Sequence, residues 1–180
     1  MKHRDVLTRP PRTIMELYKA LPQGTLAELI DNAIYMSPSP ITEHQRILNK
    51  INHQIFDHFE KSKIGEVFIS PLDVYLDEQS NAVQPDIIVV LKENFRIIHP
   101  QGHINGIPDL LIEILSPGNK EYDLVKKKDL YESFGVKEYW IVDPLTKLCI
   151  VYDLTAGKYI LKGEATGIIN SSILQMVVSI

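Results

Sequence analysis

Cysteine is all but missing from this chain. Cys149 is the sole thiol among 180 residues, which excludes an internal disulfide framework and any cysteine-rich zinc site. No apolar run approaches the roughly 20 residues that span a bilayer, and no apolar h-region follows Met1 to Asp5. The expectation is a cytoplasmic protein with no membrane partner. A basic surplus is missing too, since the formal net charge is −4. Strong nonspecific nucleic-acid binders are usually basic, so any phosphate contact must come from a local patch. Lys61 with Lys63 and the run Lys126-Lys127-Lys128 are the obvious sources, and such runs are most often solvated helix faces. There is no Gly-rich phosphate loop and no Gly-x-Ser-x-Gly elbow. P-loop hydrolysis with a nucleotide cofactor and elbow-type acyl transfer are therefore not expected.

What is present is ordinary globular composition, with 44% hydrophobic and 23% charged residues. The length suits one domain over residues 1–180. Two apolar runs stand out: Gln84-Pro85-Asp86-Ile87-Ile88-Val89-Val90, and Pro108-Asp109-Leu110-Leu111-Ile112-Glu113-Ile114-Leu115-Ser116-Pro117. Both have the length and composition of buried strands, yet both carry acids. A buried unpaired carboxylate is costly, so such acids sit at strand ends, are paired, or hold a metal. Asp109 and Glu113 share a face but lie ~13 Å apart at ~3.3 Å per residue, too far to grip one ion. Glu113 thus needs a partner from a neighbouring strand, and Asp86 is the natural candidate. Asp109 reads as an acid at the strand's entry.

Around these runs the periodicity predicts a short helix over Thr13 to Leu21, with Ile14, Leu17, Tyr18 and Leu21 on one side. A hairpin over Leu26 to Met36 follows, turning at Asp31-Asn32. A long helix spans Ile41 to about Lys61, and strands lie near Val67, Val74, Ile87 to Leu91 and Leu110 to Leu115. A turn at Ser116 to Asn119 precedes a helix over Tyr122 to Phe134, ended by Gly135. Strands at Glu138 to Val142 and Leu148 to Tyr152 come next, then weaker ones near Tyr159 and Val177. The order predicts an α/β fold, a mixed central sheet flanked by helices, with a crossover helix between two parallel strands.

Several phrases then fall in an ordered series: Glu28-Leu29-Ile30-Asp31, Ser39-Pro40 with His44-Gln45, Gln84-Pro85-Asp86, and the Asp109 to Glu113 strand. Asp123 with Lys127 and Tyr131, and Gly135 to Pro144, complete it. Pro-Asp followed by Glu113 resembles the PD-(D/E)-x-K nuclease motif, and the whole series is similar to the Uma-two family of restriction-endonuclease-like proteins. The resemblance covers roughly residues 14 to 153. It implies a restriction-endonuclease-like core and a metal-dependent endonuclease acting on DNA, with Mg2+ as the ion and Mn2+ as a substitute. It further implies Asp86 and Glu113 as side-chain ligands, the Ile114 carbonyl as a third donor, and Glu28 as an additional acid. The motif's lysine position, two after the glutamate, holds Leu115; the resemblance moves the lysine to the following helix, at Lys127.

Plainer readings stand beside these. Asp86 alone reads equally well as a strand-end cap, and Glu28 as a hairpin residue pairing with a lysine. Lys127 alone reads as a surface partner of Asp123 in an i,i+4 pair worth only ~0.3–0.5 kcal/mol. His44, on the apolar stripe of the long helix, reads as a satisfied core histidine, and Tyr131 and Trp140 as core aromatics. His99 and His103, four apart in a loop, are a weak metal signal. The alternative function is a nuclease-fold module that binds DNA or protein without turnover. A homodimer is also expected, with Leu148 to Tyr152 and Ile173 to Val178 pairing across a two-fold axis.

Overall fold

The computed structural model describes residues 9–100, 102–116 and 122–180, apart from the side chains of Tyr122 and Asp123. The expected turn at 117–119 and the Asp123 partner of Lys127 lie outside the described residues. The chain runs α1 (Ile14–Lys19), β1 (Ala27–Ile30), β2 (Ala33–Met36), α2 (Thr42–Ser62), β3 (Gly65–Ile69), β4 (Val74–Tyr75), β5 (Ala82–Val83) and β6 (Ile87–Leu91). A 3-10 segment, Lys92–Ile97, leads to β7 (Ile104–Asn105) and β8 (Leu110–Ile114). A π-helical turn, Tyr122–Lys127, continues into α3 (Lys128–Phe134). Then come β9 (Glu138–Val142), β10 (Leu148–Thr155), β11 (Lys158–Thr166), β12 (Ile168–Ser171) and β13 (Met176–Ser179).

The strands β6 and β8 are apolar on both faces because both faces are covered. They sit inside a six-stranded mixed sheet ordered β11-β10-β9-β8-β6-β3, parallel only between β8 and β9. The alternation of a strand sends Ile87, Val89, Ile112 and Ile114 to the face packed by α2 through Ile47, Leu48, Ile51 and Ile55. Ile88, Val90, Leu111 and Leu115 go to the opposite face, with Leu130 and Tyr131 of α3 and Ile30 of β1. The connection from β8 through α3 to parallel β9 is the crossover expected from sequence.

The hairpin and β4 do not join that sheet. They form a second one, ordered β2-β1-β5-β4-β7, with an I′-type turn at Asp31 and Asn32, whose φ angles are 50° and 63°. Three of its strands, β4, β5 and β7, are only two residues long, too short for any alternation to register in sequence. In α1 the buried residues are Met15 and Tyr18, while Leu17 is exposed. The face is set by Tyr18, whose one hydroxyl proton is shared between the Ala27 carbonyl and Asp73 Oδ1, each 2.9 Å away. The helix after β8 opens as a π turn, not α throughout, and ends at Gly135, whose φ of 85° suits the C′ position.

The strands that motivated pairing across a two-fold axis are satisfied within the chain. The β10 strand lies between β9 and β11. Leu174 and Val178 are buried in the α2-side core, and β12 pairs with β13. The apolar residues Leu174 and Val178 are thus covered within the chain. Among the described residues no helix is long and apolar enough to cross a membrane.

Candidate active site

Antiparallel pairing aligns Ile87 with Ile112 and Ile88 with Leu111, so one step further Asp86 stands opposite Glu113. Facing residues of a pair project to the same side of a sheet, and here that is the α3 side. Asp86 follows Pro85 just outside β6, where the ladder ends, and it is half-open to solvent. Its Oδ2 accepts from the Ile114 N–H at 2.8 Å and from His44 Nε2 at 3.0 Å. Both bonds converge on Oδ2, so Oδ1 keeps its lone pairs among the described residues. The N–H and C=O of one strand residue point along the same edge, so the Ile114 carbonyl is directed to the side on which Asp86 lies.

Glu113 is buried, and its Oε1 accepts from Lys127 Nζ at 3.0 Å and from the Tyr131 hydroxyl at 2.8 Å. Burial, with the Glu113 charge adding to it, pushes the Tyr131 phenol well above its ordinary value, so it stays a proton donor. Glu28 comes from β1 of the second sheet. Its Oε1 accepts from the Gln84 N–H at 2.9 Å and lies 3.0 Å from Lys127 Nζ. Lys127 therefore bridges two buried carboxylates while itself only 5% exposed. The surface reading of that lysine is overturned. Successive residues of a helical turn fan out around its axis, so the three consecutive lysines diverge. Lys126 reaches the Tyr35 hydroxyl, Lys127 the acids, and Lys128 the Tyr152 ring.

Glu28, Asp86, Glu113, Ile114 and Lys127 all line one cavity of about 190 Å³, with His44 beside them. The five residues that the family resemblance assigns to the site are thus brought together. His44 belongs with them, against the reading of it as a core residue. It is buried, but its Nε2 is spent on Asp86, and its Nδ1 has no hydrogen-bond partner among the described residues. Its place one turn into α2 was visible; that α2 begins beside Asp86 was not. Asp109 is apart from the cavity. Fully buried, it accepts from the Leu91 N–H, Asn94 and Lys137, tying β6, the 3-10 segment and the start of β9. Trp140 is a core aromatic, donating to Glu138.

Among the described residues no three His, Cys, Asp or Glu side chains converge as an ion cage. Magnesium does not need one, since it keeps several waters and takes one or two carboxylates. Asp86 and Glu113, with the Ile114 carbonyl, match that hard-oxygen set. Counted formally over the described residues, three carboxylates against one ammonium give the cavity two negative charges before His44 is counted. The donor chemistry and the charge both fit a divalent cation.

Comparison with known proteins bears on the fold and the family. A solved structure titled a putative nuclease belonging to DUF820, from Anabaena variabilis ATCC 29413, superposes with a TM-score of 0.74. It shares 23% identity, over 94% of this chain and 95% of that one, and so shows a common fold. No curated protein matches the chain. A family model described as "Uma2: Putative restriction endonuclease" matches residues 15–174, a span holding every residue of the acid–lysine cavity, and this chain belongs to that family.

Proposed function

We propose that the chain is a divalent-ion-dependent endonuclease that hydrolyses DNA phosphodiester bonds in the cavity bounded by Glu28, Asp86, Glu113 and Lys127. The observation that carries this reading is the pairing of Asp86 and Glu113 on adjacent antiparallel strands, with Lys127 Nζ 3.0 Å from Glu113. Asp86 and Glu113, with the Ile114 carbonyl, would hold Mg2+ or Mn2+. When bound, such an ion polarises the phosphate and lowers the pKa of a water.

The protein's own groups do the rest. His44 and the Ile114 N–H fix the Asp86 carboxylate through one oxygen and leave the other for ligation. Tyr131 donates to Glu113 Oε1 and orients that carboxylate. Lys127 places a cation beside the reacting phosphate, where it orients the attacking water and offsets charge that grows in the transition state. Glu28 holds Lys127 from the other side and limits how far the ammonium can swing. Preorganised charges of this kind are worth most in a buried site, because they need not reorient during the reaction.

The test is nicking of supercoiled plasmid with magnesium or manganese, by wild type and by Glu113→Ala. Wild-type cleavage that needs the ion and disappears in Glu113→Ala is the expected result. Equal activity in both proteins would reject the assignment. DNA binding without cleavage under either ion would move the chain to the alternative, a nuclease-fold binding module.

A further inference from the structure

We propose that a second cavity, beside the acidic one, takes a nucleobase of the substrate strand, specifically one bearing an exocyclic amine, close to the phosphate that is cut. This rests on the nuclease reading above. The second cavity holds about 420 Å³, within the ~300–1,000 Å³ typical of small-ligand sites. Gln84 lines both cavities. Its backbone N–H donates to Glu28 in the first, while its side chain donates to Asp73 at 2.8 Å in the second. Asp86 is two residues on from Gln84, a reach of at most ~7 Å, which equals about two stacked steps of a nucleic acid strand at ~3.4 Å each.

The lining is what a base requires. Tyr75 stands edge-to-face with His103 at 5.3 Å and with Tyr18 at 6.3 Å between ring centroids. Lys19 Nζ lies 4.9 Å over the Tyr75 ring. A lysine on a ring face marks that face as reachable, and its long stem lets the ammonium withdraw to a backbone phosphate when a base takes its place. Stacking on aromatic rings tolerates any base, so discrimination falls to Asp73. One of its oxygens, Oδ1, is already engaged by Tyr18 and Gln84. The other, Oδ2, is approached by His103 Nδ1 at 3.5 Å without a hydrogen bond, and the Tyr75 hydroxyl bears on the same carboxylate, which keeps lone pairs for a further donor among the described residues. A carboxylate oxygen can only accept, so it selects an amine edge, as on cytosine or adenine, and disfavours the carbonyl edge of thymine.

The experiment measures affinity without cleavage, by fluorescence anisotropy in EDTA, with labelled oligo-dA, oligo-dC and oligo-dT. Wild type is expected to bind dA and dC about tenfold tighter than dT. Asp73→Asn keeps an acceptor for Tyr18 and Gln84 but turns the other atom into a donor, and should abolish that preference with little change in Tm. His103→Ala, at a half-exposed ring, should weaken binding of all three. Equal affinities, no binding, or a preference untouched by Asp73→Asn overturn the inference. So does free dCMP binding as tightly as the oligomer, which would make the ligand a free nucleotide. Glu113→Gln should keep the base preference. If wild type shows that preference yet nicks no plasmid, the nuclease reading falls and the base site stands; wild-type cleavage with base-blind binding gives the reverse.

Discussion

Lys127 Nζ lies 3.0 Å from Glu113 Oε1, although the two residues are fourteen apart and belong to a helical turn and a strand. The same ammonium lies 3.0 Å from Glu28 Oε1. Breaking a buried ion pair from one side strands a charge and costs about 3–5 kcal/mol. Lys127→Met leaves two carboxylates without their ammonium and should lower Tm by roughly 6–20 °C at ~2–4 °C per kcal/mol. Adding Glu28→Gln to that variant should recover part of the loss. Thermal unfolding of the three proteins decides it, and an unchanged Tm in Lys127→Met would mean that the bridge carries no stability.

His44 acts on the site through Asp86 alone. Truncating a group that orients a ligand typically costs 10–100-fold in metal affinity or activity. His44→Ala should therefore raise the magnesium concentration needed for half-maximal nicking about tenfold or more, with a smaller effect on the rate at saturating ion. His44→Gln, which can still donate, should rescue part of the shift. A lower saturating rate with no change in ion requirement would assign His44 a role other than holding Asp86.

Asp86 and Glu113 were legible in sequence because acids interrupt two runs whose composition otherwise demands burial on both faces. Their register was not legible. It depends on β6 and β8 pairing antiparallel, which no local pattern encodes. Lys127 was legible only through the family resemblance, because a lysine triplet on a helix has the signature of a solvated face. What holds it inside is Glu113 on the central sheet, together with Glu28 arriving from another sheet. The long helix α2 and the Asp31-Asn32 hairpin were readable because a 3.6-residue period and a turn type are local properties. The second sheet was not, since β5 and β7 are two residues each and owe their conformation to neighbours.

Tyr131 touches the site by a single hydroxyl. Tyr131→Phe keeps the ring against Tyr139 and removes the bond to Glu113 Oε1. A hydrogen bond to a charged group is worth about 1.5–3 kcal/mol. The variant should lose that much by denaturant unfolding, with an unchanged m-value because the packing is the same. Its nicking rate should fall while the ion requirement stays within about twofold, since Asp86 keeps its own supports. A stability equal to wild type would show that the Tyr131 hydroxyl contributes nothing to holding Glu113.

Alkaline pH should unfold the protein through its buried phenols. Burial raises the Tyr131 hydroxyl well above its ordinary value, and burial also raises Tyr18 and Tyr159. In the unfolded chain a tyrosine ionises near pH 10. Below that pH both states hold the proton and the stability contribution is complete. Above it the unfolded chain releases protons that the folded chain keeps, so the folded state binds more protons and stability falls as pH rises. Tyr131 alone contributes a slope of about 1.4 kcal/mol per pH unit in that window. Tm should hold steady from about pH 8 to about pH 10 and drop steeply beyond, with tyrosinate absorbance from these phenols appearing together with unfolding. Tyr131→Phe should flatten the drop. If the three phenols ionised near pH 10 in a protein that stayed folded, the burial argument for all of them would be wrong.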